Sequence, residues 1–211
     1  AYEQFRSHYD TARFEEALPF ARRVVELSEA DPKRDHELPI AYNNLGATQY
    51  ELGDYKAAEA SYVKSLEILE ASQGISSRKL IVPLAGLGAV YAATDQHLLA
   101  VQLLDRALAV SRRSNGLFNL AQLPLIEQVA DSRYAINDFN GVERELLYAL
   151  KIAEIRTTMG EPVARAVIMH ELGHLVGLAH TEHDDQLMFP RGNAGVNTSR
   201  SRYSSISSTC R

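Results

Sequence analysis

Apolar positions recur along the first three quarters of the chain with helical spacing, and they recur again from unit to unit. Leu45-Gly46 returns as Leu87-Gly88 and then as Val129-Ala130, a period of 42 residues. Ala58, Ala100 and Val142 repeat at the same interval, as do Tyr62, Leu104 and Leu146, and Leu66, Leu108 and Leu150. Gly53, Asp95 and Asn137 occupy one further equivalent position, and all three tolerate the backbone of a tight helix-to-helix turn. Tyr55, His97 and Phe139 follow that turn. An earlier copy, offset by 41, supplies Ala17, Ala21 and Val25, with its first helix cut short or degenerate. Each unit therefore reads as two amphipathic helices joined at the Gly/Asp/Asn turn. Small residues at Gly46, Gly88 and Ala58 let helices approach, and large ones fill the gaps between units. One such pair cannot bury its apolar face alone, so stacking must stabilise the array. Alternation of period two is almost absent, and the expected class is all-α.

Residues 41–70, AYNNLGATQYELGDYKAAEASYVKSLEILE, carry Tyr42, Leu45, Gly46, Gly53, Tyr55, Ala58, Tyr62 and Leu66 in a pattern that resembles a tetratricopeptide repeat. The usual period is about 34 residues; the longer spacing resembles the extended form of kinesin light chains and many bacterial proteins. The resemblance covers residues 1–157 and implies a helical-hairpin solenoid. It also implies a groove that binds an extended peptide or protein segment, lined by the first helix of each pair. Asn43, Tyr50, Glu127, Asp131 and Tyr134 are the groove candidates it points to. The same residues also suit ordinary solvated or inter-repeat positions.

The pattern breaks at TTMGEP, residues 157–162, with 158–161 as linker. Gly160 can end a helix and Pro162 suits the first turn of another. VARAVIMHELGHLVG then reads as one helix. Ile168, Leu172 and Leu175 fall on one side, and His170 and His174 fall together on the other. Two imidazoles from successive turns suit a tetrahedral zinc. Glu171 sits beside the first. Gly177 allows a sharp turn, after which His180 can supply a third ligand and leave one position open.

The string HELGHLVGLAH, residues 170–180, followed by Leu187-Met188-Phe189-Pro190, resembles the metzincin zinc site and the Met-turn of its matrixin branch. The resemblance covers residues 162–190. It implies Zn2+ held by His170, His174 and His180, with Glu171 as general base. Gly177 and Met188 give structural support, Met188 beneath the metal, and Phe189-Pro190 begin a specificity wall. The implied activity is zinc-dependent hydrolysis of peptide bonds in a peptide or protein substrate. A matrixin sets a twisted sheet ahead of its zinc helix, and here those positions are repeats. The alternative is a non-catalytic tetratricopeptide scaffold whose zinc motif is incomplete or vestigial. A third option is a structural zinc that orders residues 177–190. His183, near Asp184 and Asp185, is an alternative ligand or, more simply, a solvated loop residue.

Charge adds little. The net charge is -5, and all of it sits on residues 1–160, because 161–211 hold five acids and five Lys/Arg. No basic stripe suggests nucleic acid, and no apolar run is long enough for a membrane span. Residues 191–211 are Ser- and Arg-rich without an acid and read as a disordered tail. Cys210 is the single cysteine, so neither an internal disulfide nor a redox compartment follows. The chain begins Ala1-Tyr2-Glu3 without a signal-peptide pattern and reads as a fragment or processed product, with no compartment assigned.

Overall fold

The computed structural model describes residues 1–158. These form eight α-helices: α1 (Tyr2–Tyr9), α2 (Phe14–Glu29), α3 (Leu38–Glu51), α4 (Tyr55–Gln73), α5 (Ile81–Ala93), α6 (His97–Asn115), α7 (Leu123–Ala135) and α8 (Phe139–Thr158). Short 3-10 turns, Pro32–Arg34, Arg78–Leu80 and Leu120–Gln122, precede α3, α5 and α7. No strand occurs among the described residues, and the expected all-α class holds. The chain divides into two compact units, Ala1–Val110 and Ser111 onward.

The hairpin turns follow from backbone sterics. Gly53, Asp95 and Asn137 all take a positive φ, at 77°, 59° and 61°. Only glycine does so freely, with Asn and Asp the next most tolerant. Ala12 takes the same conformation at 55° in the first hairpin, so α1 and α2 form a complete turn where the sequence pattern had faded. The residue after the turn caps the second helix. Asp54 Oδ1 accepts from the Ala57 amide at 3.1 Å, and Asp138 Oδ1 accepts from the Gly141 amide at 2.9 Å. Asp31, Ser77 and Asn119 cap the 3-10 turns in the same way.

In the first unit, packing depends on small residues facing large ones. A Cβ on Gly46 would stand 3.1 Å from the Tyr62 ring, and one on Gly88 would stand 2.6 Å from Leu104 Cγ. The equivalent pairs of two successive hairpins thus make the same close approach. The Tyr62 ring also reaches forward to Gly86 of the next hairpin, where a Cβ would meet Cζ at 2.3 Å. Around it Ala58, Tyr62, Leu87 and Val90 form a buried cluster, with Ala47, Tyr50, Tyr55, Leu66 and Leu103 against it. A second cluster, Phe5, Ala17, Ala21, Val25, Ala41 and Leu45, joins α1, α2 and α3. Polar bonds link successive hairpins. The Tyr42 hydroxyl donates to Glu29 at 2.5 Å, the Tyr91 hydroxyl donates to Glu59 at 2.6 Å, and Arg106 pairs with Glu70.

The second unit is built on α7 and α8, whose Ile126, Val129, Ala130, Ile152 and Ala153 are buried. Arg133 bridges the hairpin, with Nη1 2.8 Å from Asp138 Oδ2 and Nε 3.8 Å from Glu145. Arg112 lies over the Tyr148 ring, 4.3 Å from its centroid, a cation–π contact. The Tyr148 hydroxyl donates to Gln122 Oε1 at 3.1 Å. Helix α8 runs through Thr158, one residue past the expected end of the array. The expected linker beyond Thr158, the zinc helix, the Met-turn and the tail lie outside the described residues.

Candidate functional site

The five groove candidates fall on two helices. Asn43 and Tyr50 sit on α3 in the first unit, two turns apart on one face, with Ala47 between them. Glu127, Asp131 and Tyr134 occupy the equivalent register of α7 in the second unit. At that register α5 carries only Ala85, Ala89 and Ala92.

Their environments differ. Asn43 is 9% exposed, and its Oδ1 has no hydrogen-bond partner. It lines a cavity of about 170 Å³ with His36, Pro39, Ile40, Leu69, Lys79 and Val82. Two of these, Ile40 at 49% and Val82 at 45%, are large apolar side chains left exposed. A buried amide oxygen without a donor costs about 1–3 kcal/mol.

Tyr50 has a packing role. Its ring lies 5.5 Å from that of Tyr55 and rests on the Tyr62 cluster. The Tyr134 ring meets Phe139 edge-on at 5.7 Å, and Tyr9 meets Phe14 at 5.3 Å. These are register-equivalent pairs, each bracketing a hairpin turn with two aromatic rings. Tyr134 remains exposed while doing so. Glu127 and Asp131 are half-buried and engaged in interactions of their own.

Burial shapes the charges near Tyr50. The Glu51 carboxyl is pushed above the usual carboxylate range by desolvation. Burial raises the Tyr62 hydroxyl, and nearby Tyr9, Glu51 and Tyr50 raise it further. Burial likewise raises Tyr9, assisted by Glu51 and Asp10. This corner of the first unit therefore holds its phenols neutral.

His170, Glu171, His174, Gly177, His180, His183 and Met188 all lie beyond residue 158, outside the described residues. Among the described residues, no group of three or more His, Cys, Asp or Glu side chains is placed to hold a metal. No described helix is long and apolar enough to cross a membrane.

The sequence reading missed Gly86, which shapes the contact between hairpins, and it did not foresee the cavity beside Asn43. The signal for Gly86 was available: it lies two residues before the Leu87-Gly88 pair's glycine and has no small counterpart at Asn44 or Gln128.

The architecture is that of tetratricopeptide-like helical hairpins, and comparison with known proteins agrees. A tetratricopeptide repeat family model matches residues 6–71. Among solved structures, the chain is similar to the nearly identical TPR-like repeats of a Podosopora anserina putative kinesin light chain. Identity is 17%, 82% of each chain is covered, and the TM-score is 0.67. A single-substitution variant of that protein gives a TM-score of 0.68 at the same identity and coverage. BtubC (BKLC) from P. vanneervenii is similar at 14% identity, over 90% of this chain and 82% of that one, with a TM-score of 0.60. At these identities the likeness concerns the fold alone. A matrixin family model matches residues 133–202. The matched residues up to Thr158 are the end of α7, the hairpin turn and all of α8. A search of curated proteins returns no match.

Proposed function

We propose that this chain is a protein-interaction scaffold whose first unit binds an extended peptide segment along α3 and α5. The observation that carries this is an apolar cavity lined by Asn43, whose buried amide oxygen has no hydrogen-bond partner. With the Asn43 amide turned toward the cavity, a peptide backbone N–H supplies the missing donor. An apolar side chain of the same peptide fills the space among Pro39, Ile40, Leu69 and Val82, and covers the two exposed members of the rim. Main-chain bonding with a side-chain pocket is the usual division of labour in peptide recognition. The test is a peptide array probed with the full chain. Asn43→Ala is expected to weaken capture by roughly tenfold, the loss of one hydrogen bond to a buried group, and Val82→Asp is expected to abolish it. Undiminished capture by both variants refutes the reading.

A second reading is supported by the matrixin match and by the string at residues 170–190. In it, His170, His174 and His180 hold Zn2+ and Glu171 serves as general base for peptide hydrolysis, with the repeats recruiting the substrate. A bound zinc supplies Lewis-acid polarisation and an acidified water. Two measurements separate the readings. Stoichiometric zinc after purification is expected for the parent chain and is lost in His174→Ala. Hydrolysis of a peptide library with zinc present is abolished in Glu171→Ala. A parent chain that takes up no zinc leaves the scaffold reading alone.

A further inference from the structure

Two acids hold equivalent places at the ends of the first helices in the first unit. With the offset of 41, Asp10 after α1 corresponds to Glu51 of α3, and Tyr9 corresponds to Tyr50. Asp10 has a counter-charge of its own: Arg6, one turn back, places Nη2 3.3 Å from Asp10 Oδ2. The residue equivalent to Arg6 on α3 is Ala47, so Glu51 has no cation one turn back. Among the described residues the Glu51 carboxyl makes no ion pair or hydrogen bond. The Asp10 side chain is 57% exposed, whereas Glu51 is half-buried. The well-solvated acid is thus the paired one, and the desolvated acid lacks the partner its counterpart has.

Desolvation alone lifts the Glu51 carboxyl above the usual carboxylate range, the opposite of what a neighbouring cation does. Glu51 also lies close enough to Tyr9 and Tyr62 to raise both hydroxyls. Neutral phenol oxygens accept hydrogen bonds as well as donate them. A carboxylate with phenol oxygens near it matches a guanidinium, whose planar fork of five N–H donors can serve several acceptors at once; a compact ammonium serves fewer.

We propose that Glu51, beside Tyr9, receives an arginine side chain of the peptide segment that the first unit binds. This rests on the peptide reading above and adds the partner's charge and spacing. Asn43, Ala47, Tyr50 and Glu51 share one face of α3, and the rise from Asn43 to Glu51 is about 12 Å. An extended peptide covers that distance in about three or four residues. The arginine therefore stands that far from the apolar side chain held in the cavity. Lys79 lines the cavity itself and opposes a cation there, which favours arginine at the Glu51 end.

A peptide array probed with the full chain tests this, with leucine fixed and arginine or glutamate moved stepwise away from it on either side. Capture is expected to peak with arginine about three or four residues from leucine on one side, at least about tenfold above glutamate at the same place. Glu51→Gln is expected to erase that preference and Glu51→Arg to invert it, whereas Asn43→Ala weakens capture of both series and keeps their ratio. Equal capture of arginine and glutamate peptides, or a preference that Glu51→Gln leaves intact, overturns the arginine site while the peptide reading stands. Capture of no peptide at all overturns both. Thermal unfolding gives a readout that needs no peptide. A carboxyl desolvated without a partner costs the unliganded chain stability, so the midpoint of Glu51→Gln is expected to equal or exceed that of the parent. A lower midpoint means that the carboxylate is already paired within the fold, and overturns the site.

Discussion

Replacing Gly86 with alanine sets two effects against each other, and the structure decides which wins. Alanine is the better helix former by about 1 kcal/mol, and Gly86 lies inside α5, so propensity alone predicts stabilisation. The added Cβ, however, would stand 2.3, 2.4 and 2.7 Å from Cζ, Cε1 and Cε2 of Tyr62. Carbon atoms rest at about 3.5–4.0 Å, so the ring must retreat by more than about 1 Å. The ring is hemmed in, because Tyr62 is 6% exposed and packed among Ala58, Leu87 and Val90. Overpacking of this kind costs about 1–3 kcal/mol. Less the propensity gain, the net loss is about 0–2 kcal/mol. Urea unfolding followed by far-ultraviolet circular dichroism measures it. Gly86→Ala is expected to lower the midpoint with an unchanged slope. In a Tyr62→Leu background the same substitution is expected to be neutral or stabilising, a coupling of about 1 kcal/mol or more. A Gly86→Ala single variant above the parent midpoint, or no coupling to Tyr62→Leu, refutes the interlock.

Three further outcomes are expected. Ala12→Gly relieves a left-handed alanine and raises stability by up to about 1 kcal/mol, read as a higher thermal midpoint. Tyr91 is raised to about 12 by its hydrogen bond to Glu59 and then by burial. A raised pKa means stability present below the unfolded value near 10 and lost as pH rises toward 12. Tyr91→Phe should remove that alkaline loss at a cost of about 0.5–1.5 kcal/mol near neutrality. Asp138 is held below the usual carboxylate range by its bond from Arg133, then by the Gly141 amide. Its contribution is present above about pH 4 and lost as pH falls through the lower folded value, so Asp138→Asn should flatten the acid limb of a stability profile.

Much of the fold was legible because a few positions admit few residue types. A positive φ restricts Gly53, Asp95 and Asn137, and close helix approach restricts Gly46 and Gly88; both constraints recur every 42 residues and so announce themselves. Ala12 escaped because an alanine breaks the turn's composition without breaking its geometry. Gly86 escaped because it serves the contact between hairpins, which varies from unit to unit, while Gly88 serves the contact within one. The groove candidates show the limit of periodicity. Register places Asn43 and Tyr50 on one face, yet one ends beside a cavity with an unpaired oxygen and the other is spent on its neighbour Tyr55. Which of two residues on a face is available depends on what the adjoining helix brings, and a single helix's pattern does not contain that.

The same reasoning bears on the two functional readings. The matrixin match begins at residue 133, inside α7, so the residues leading into the zinc string are, as far as Thr158, a helical hairpin stabilised by Arg133, Asp138 and Glu145. A zinc helix needs rigid support to hold its ligands within a fraction of an ångström. Among the described residues of the match, any such support would be helical, and α8 leaves Leu147 and Leu150 exposed. If α8 supplies that support, substitutions at Leu150 should weaken zinc retention without touching a ligand, whereas substitutions at Asn43, on the first unit, should leave zinc retention unchanged and alter peptide capture alone. Zinc retention that is indifferent to Leu150→Asp would mean that the ligands, if they gather at all, do so without the array.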